Sequence, residues 1–293
     1  MKVEGAKGIN KACHLIHFSR SSLTYKSIKN DNEVIDKLNN LVELFPREGF
    51  WKCYNRLRNK GEIINHKRLH RVYQLMGLPL RRKGKKRLPE RVKQPLVVPE
   101  SFANSWSIDF MSDALIGGKK FRSFNVIDDY NREVLFIEVD YSIKSSRVLW
   151  VLRHLVARHN KPKQIRMDNG PEFIAKLAQE WSQMMEIDFQ YIQPGKPMQN
   201  AYIERFNKSY RQGVLDCYLF DSLDEVRKIT DEWVYDYNHF RPHDALGGLP
   251  PVEYRKKEKI KENNKNLGGL RSASATPSLH YAHKGLQETS INE

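Results

Sequence analysis

Gln164-Ile-Arg-Met-Asp-Asn-Gly-Pro-Glu-Phe173 is the stretch on which the fold turns. Residues 164–167 predict a short strand that ends at Asp168. Asn169-Gly170 is a turn pair, and the fixed φ of Pro171 suits the first position of a helix, predicted over 171–186. Upstream, 105–110, 120–128 and 133–140 predict three strands. Gly117-Gly118 turns the first into the second, and Asp128, Asp129 and Asn131 turn the second into the third. A helix fits 146–159, with Val148, Leu149, Leu152, Leu155 and Val156 inward. Downstream, 188–192 predicts a fifth strand, Gln193–Asn200 a loop and 200–215 a helix. Ser222 and Glu225 form a capping box for a further helix over 223–239. Three hairpin-like strands followed by strands alternating with helices predict an α/β fold, a mixed sheet flanked by helices, over 101–254. Trp106 and Trp150 read as core. Residues 255–293, charged and then Ser/Gly-rich, read as a disordered tail. No internal repeat is present.

The first hundred residues have another character. Residues 1–46 form an N-terminal helical segment, with an amphipathic helix over 33–45. Residues 47–80 predict two short helices, 50–59 with Trp51, Tyr54 and Leu57 inward, and 66–76 with Leu69, Val72, Tyr73 and Met76 inward. Asn65 is the N-cap of the second helix and Gly77 its stop. Lys67, Arg68 and Arg71 lie on its outer face. Two short helices with a basic second member suggest a helix-turn-helix, a small all-α domain ahead of the sheet. A helical bundle with a basic surface is the other reading. Residues 81–100 form a basic, Pro-punctuated linker, in which Arg81, Arg82, Lys83, Lys85, Lys86 and Arg87 could track a phosphate backbone.

Charge divides the chain in the same place. The 293 residues carry 50 Lys+Arg and 35 Asp+Glu, a net +15. Residues 47–95 hold 16 basic and 3 acidic side chains, whereas 101–253 hold 19 and 22. A basic segment of this density fits a polyanion, with nucleic acid first. No apolar run approaches a membrane span. Three scattered cysteines exclude a disulfide framework and a zinc site, which fits a reducing cytoplasm.

Three acidic residues stand in unusual places. Asp109 lies inside an apolar strand between Ile108 and Phe110. Asp168 ends a strand, and Glu204 shares a helix face with Asn200, Lys208 and Arg211. Singly, each has a plain structural reading: a satisfied strand aspartate, a turn aspartate, an i,i+4 partner for Lys208. Together they can meet at one sheet edge, where the carboxyl ends of strands gather active sites. Three hard oxygen donors suit Mg²⁺ or Mn²⁺, and two such ions would serve phosphoryl transfer. Lys196, Asn200, Lys208 and Arg211 could contact DNA near this trio, and Glu172 could support it from outside.

Asp168 and Glu204 are separated by 35 residues, with Asp109 about 60 residues earlier. This spacing resembles the Asp, Asp, 35 residues, Glu signature of the retroviral integrase and transposase superfamily. Trp106-Ser-Ile-Asp-Phe-Met111, Arg166-Met-Asp-Asn-Gly-Pro-Glu-Phe173, Gln193-Pro-Gly-Lys-Pro-Met-Gln-Asn-Ala-Tyr-Ile-Glu-Arg-Phe-Asn207 and Tyr237-Asn-His-Phe-Arg-Pro-His-Asp-Ala-Leu-Gly247 resemble transposases of insertion sequence family three. The resemblance covers roughly residues 48–254. It implies a ribonuclease H-like core in which Asp109, Asp168 and Glu204 bind two divalent ions. It also implies cleavage of DNA at an element end, and strand transfer by the freed 3′-hydroxyl. Such proteins work as homo-oligomers on DNA and are commonly joined by frameshifting to an upstream frame carrying a zipper. No sustained heptad repeat occurs here, so the chain resembles a second-frame product. A DNA-binding protein using the core only for assembly and a ribonuclease H-type nuclease are the alternatives. No chemistry assigns roles to His239 and His243.

Overall fold

The structure is a computed structural model and describes residues 6–24, 30–80, 99–193 and 200–272. The chain divides into two compact units, Met1–Gly84 and Lys85–Glu293.

The first unit is all helical: α1 (Ala6–Leu15), α2 (Arg20–Thr24), α3 (Asn32–Leu44), α4 (Phe50–Asn59) and α5 (His66–Leu75). Helices α3, α4 and α5 share one core of Val34, Leu38, Leu41, Cys53, Leu57, Leu69, Val72 and Tyr73. Gly61, with φ 87°, turns the chain after α4 in the left-handed region that glycine enters without strain. Asn65 then caps α5, its side chain accepting from the Lys67 amide at 2.8 Å. A buried ion pair fixes the start of α4: Arg56 donates to Glu48 through Nε at 2.7 Å and Nη2 at 3.0 Å. Trp51, predicted inward, is 59 % exposed. Phe50, one residue earlier, takes the inward position instead, packing edge-on to Tyr73 at 5.5 Å.

The second unit is built on a five-stranded sheet in the order β3-β2-β1-β4-β5. Its strands are β1 (Ser105–Ala114), β2 (Lys120–Asp128), β3 (Val134–Asp140), β4 (Gln164–Met167) and β5 (Asp188–Tyr191). The first three form an antiparallel meander, and β4 and β5 run parallel to β1. The sequence-predicted mixed sheet is therefore present. Strand β1 runs four residues beyond its predicted end, because β2 pairs with it as far as Ala114.

Alternation along β1 sends neighbouring side chains to opposite faces. Trp106 and Ile108 enter a core with Val148, Leu149 and Leu152 of α6 (Ser145–His159) and with Ala178 and Trp181 of α8 (Lys176–Met184). The other face packs on Ile203, Phe206 and Tyr210 of α9 (Ala201–Tyr210) and Val226 and Tyr237 of α10 (Leu223–His239).

Three further expectations are corrected. The helix predicted over 171–186 is two helices, α7 (Pro171–Ile174) and α8, because Ala175 is extended at φ −53° and ψ 137°. The break lets Phe173 and Trp181 both enter one core. The helix predicted over 200–215 is present from Ala201 to Leu215, its last five residues, Arg211–Leu215, being π-helical. Trp150, predicted as core, is 44 % exposed and lies between Arg147, 4.0 Å from its ring centre, and His154. The tail predicted as disordered from 255 is helical as far as Ser272, in α11 (Pro251–Ser272). That helix is anchored: Arg255 pairs with Glu133 at 3.0 Å, and Asn131 Nδ2 donates to the Pro251 carbonyl at 3.2 Å.

Candidate active site

Asp109 and Asp168 meet through strand register. Strands β1 and β4 pair in parallel with Ser107 opposite Arg166. Continued by two residues, that register brings Asp109, inside β1, level with Asp168, the residue just past the end of β4. Asp168 is exposed and its Oδ1 accepts the Gly170 amide at 3.1 Å, which closes the turn.

Glu204 arrives on α9, and one side chain sets its place. Asn207 lies three residues later on the same helix face, and its Nδ2 donates to Asp109 Oδ2 at 2.7 Å. Asn207 Oδ1 in turn accepts from Asn125 Nδ2 at 2.8 Å, and Asn125 is the cross-strand partner of Asp109. An amide relay thus runs from β2 through α9 to the β1 carboxylate. Asn207 was legible in part, since it shares a helix face with Glu204. Asn125 was not, because cross-strand register carries no local signal.

The electrostatics show the same convergence. Burial pushes the Asp109 carboxyl up to about 6, and the negative charges of Asp168 and Glu204 push the same way. The Phe110 amide, at 2.8 Å from Oδ1, and Asn207 pull against this. A half-buried carboxylate opposed by two others is a site whose ionised form a cation would favour. The donor set is all carboxylate oxygen, which fits Mg²⁺ or Mn²⁺. Among the described residues no three His, Cys, Asp or Glu side chains stand close enough together to hold a metal ion as they are placed.

Two integrase core domain models match the chain, over residues 103–197 and 185–251. An uncharacterized 31.7 kDa protein of insertion element IS407 from Burkholderia multivorans is 35 % identical over 251 residues, which is 85 % of this chain and 91 % of that protein. The chain belongs to the insertion-element proteins that carry an integrase core domain. An IS476 protein of Xanthomonas euvesicatoria is 31 % identical over 87 % of this chain and 74 % of its own. The transposase InsD of insertion element IS2 from Escherichia coli is 23 % identical over 76 % and 78 %.

The integrase core's basic residues are placed unevenly. Lys208 is exposed on α9. Arg211 is tied to β1, with Nη1 on Asp113 at 3.0 Å and Nη2 on the Ser112 carbonyl at 2.9 Å. Asn200, expected to contact DNA, is only 4 % exposed at the start of α9. In the first unit, Lys67 is exposed, while Arg68 and Arg71 both hold Asp31, at 2.9 and 2.6 Å. Their hydrogen bonds keep Asp31 below the usual carboxylate range. Lys196 and Arg81, Arg82, Lys83, Lys85, Lys86 and Arg87 lie outside the described residues.

A second acidic group in the integrase core serves architecture. Asp128 and Asp129, predicted as turn residues, are fully buried. Asp128 accepts the amides of Ala103 and Tyr130, each at 2.8 Å, and burial pushes its carboxyl up to about 7. Asp129 accepts from Ser105 at 2.7 Å and Ser107 at 2.6 Å and faces Arg166 at 3.4 Å, although burial raises it too. His243 packs edge-on to Tyr237 at 4.7 Å and bridges Leu249 through its backbone. His239 stacks on Tyr235. Neither histidine meets the acidic trio in these contacts.

Proposed function

We propose that the chain is a DNA transposase of insertion sequence family three, cutting and joining DNA with two divalent ions. The observation that carries this reading is the register of Asp109 with Asp168, with Glu204 brought to them by the Asn207–Asp109 bond. The family membership and the 23 % identity to the InsD transposase support it. Asp109, Asp168 and Glu204 would hold Mg²⁺ or Mn²⁺, which activates the attacking oxygen and stabilises the leaving one.

The chain's own residues do the positioning. Asn207 fixes the rotamer of Asp109 and links it to α9, and the Asp168–Gly170 bond holds the second carboxylate at the strand end. In the first reaction water attacks a phosphodiester at the element end. One P–O bond forms, the P–O3′ bond breaks and a 3′-hydroxyl is released. That hydroxyl then attacks a second phosphodiester, so one P–O bond again replaces another and no energy-rich cofactor is consumed. The exposed Lys67 and Lys208, with the basic residues of 81–93 and Lys196, supply phosphate contacts. The active form is a homo-oligomer on DNA, joined where needed by an upstream-frame product.

The test is nicking and strand transfer on an element-end duplex in Mg²⁺ and Mn²⁺. Cleavage that disappears in Asp109→Asn is the expected result. Binding without nicking in either metal would sink the enzyme reading, and preferential cutting of an RNA–DNA hybrid would point to a ribonuclease instead.

A further inference from the structure

One guanidinium touches the sequence neighbours of both site aspartates. Arg122, on β2, pairs its Nη1 with Oε1 of Glu172. The same guanidinium lies 4.1 Å from the centre of the Phe110 ring. Phe110 directly follows Asp109, and its amide donates to Asp109 Oδ1. Glu172 lies in α7, four residues after Asp168. A Cβ built on Gly170 would lie 3.0 Å from Asp168 Oδ1 and 3.3 Å from Glu172 Oε2, so both carboxylates rest against the same side of that glycine. Glu172 therefore reaches Arg122 with one oxygen and the Asp168 turn with the other.

The two aspartates differ in how they are held. Asp109 sits within a long antiparallel ladder. Asp168 sits on a turn between a four-residue strand and a four-residue helix. Around the turn, the Gly170 amide donates to Asp168 Oδ1, Asn169 Nδ2 donates to the Ile192 carbonyl at 3.3 Å, the Ile192 amide donates to the Met167 carbonyl at 3.0 Å, and the Tyr191 hydroxyl donates to the Phe173 carbonyl at 3.0 Å. Phe173 adds a stack on Phe110 at 5.3 Å. Those bonds tie the turn toward β5, and Arg122 adds an anchor from β2, on the side of Asp109. The ion pair is partly screened, with Arg122 33 % and Glu172 15 % exposed. Its effect on global stability is accordingly small, and its main consequence is geometric.

We propose that Arg122 and Glu172 are a positioning pair, which ties the Asp168 turn to β2 and, through Phe110, to β1, so that Asp109 and Asp168 are kept side by side to take up a divalent cation. This rests on the reading of those carboxylates as the metal-holding groups. Neither residue touches the reacting atoms. Holding two carboxylates side by side against their repulsion needs an outer shell, and loss of such a shell typically weakens metal affinity about 10- to 100-fold.

The experiment measures Mn²⁺ binding to the full chain from the free-ion electron paramagnetic resonance signal, with melting temperature alongside. Arg122→Gln and Glu172→Gln are each expected to raise the Mn²⁺ dissociation constant about 10-fold or more. The double variant is expected to bind no more weakly than the weaker single, because both changes break the same ion pair. Wild-type Mn²⁺ affinity in the single variants, or fully additive losses in the double, would overturn the proposal. If Glu172→Gln does not fold, Arg122→Lys takes its place: it keeps the charge but loses the planar fork, and an unchanged dissociation constant there overturns the pair equally. The Asp109→Asn variant separates the two levels. If it binds Mn²⁺ as tightly as wild type, the carboxylates are not the cation site and both readings fall. If it loses binding while the pair variants keep it, only the positioning role falls.

Discussion

At the scale of single residues, the site carboxylates are bordered by amides and a guanidinium. Asn207 places one oxygen of Asp109 and is itself oriented by Asn125. Asn207→Ala is expected to lower cleavage by about 10-fold or more with little change in DNA affinity, because it loosens the carboxylate without touching a phosphate contact. A parallel fall in DNA affinity in a mobility-shift titration would place Asn207 at the DNA surface instead. Gly213 decides a different matter. A Cβ there would overlap Trp233 Nε1 and lie 3.1 Å from Cε2. Gly213→Ala is expected to cost about 1–3 kcal/mol by overpacking, read from the urea midpoint. An unchanged midpoint would mean that Trp233 moves aside freely.

At the scale of elements, the β2–β3 turn carries a pH-dependent load. The Asp128 carboxyl is pushed up to about 7 by burial, above its unfolded value of 3.8, and Asp129 is raised in the same direction. The folded state therefore binds more protons than the unfolded state between those values, so stability falls as pH rises through that window. Each such group contributes a slope of at most about 1.4 kcal/mol per pH unit. Unfolding free energies measured from pH 4 to 8 are expected to decline with pH, and Asp128→Asn is expected to flatten the decline. A profile that rises with pH across this range would contradict the burial argument. Helix α7 shows how packing overrules pattern. Pro171 and the following residues favour one long helix, yet Phe173 must lie in the core against Phe110 and Phe124. Phe173→Ala is expected to cost about 3–5 kcal/mol in the same denaturant assay.

At the scale of the whole molecule, basic charge is concentrated ahead of the integrase core. Residues 47–95 carry 16 basic and 3 acidic side chains, and 101–253 carry 19 and 22. Neutralising four charges within 81–93 is expected to weaken DNA binding and to reduce its salt slope by about 0.9 for each phosphate that is no longer neutralised. An unchanged slope would remove this segment from the interface. This division was legible in the residues alone, as were the succession of strands and helices in the mixed sheet, the Asn65 and Ser222 caps and the three carboxylates with their spacing. Those features are local, or belong to a recurring order of elements, so composition and periodicity express them. The amide relay, the Arg122–Glu172 pair, the burial of Asp128 and Asp129 and the docking of α11 were not legible. Each joins residues far apart in sequence through strand register or helix packing. A buried aspartate and an exposed turn aspartate are also the same letter until the neighbours that desolvate them are known. The sequence by itself determined which carboxylates could work together. The tertiary structure alone decided what holds them in place, because that depends on which distant side chains the sheet register brings beside them.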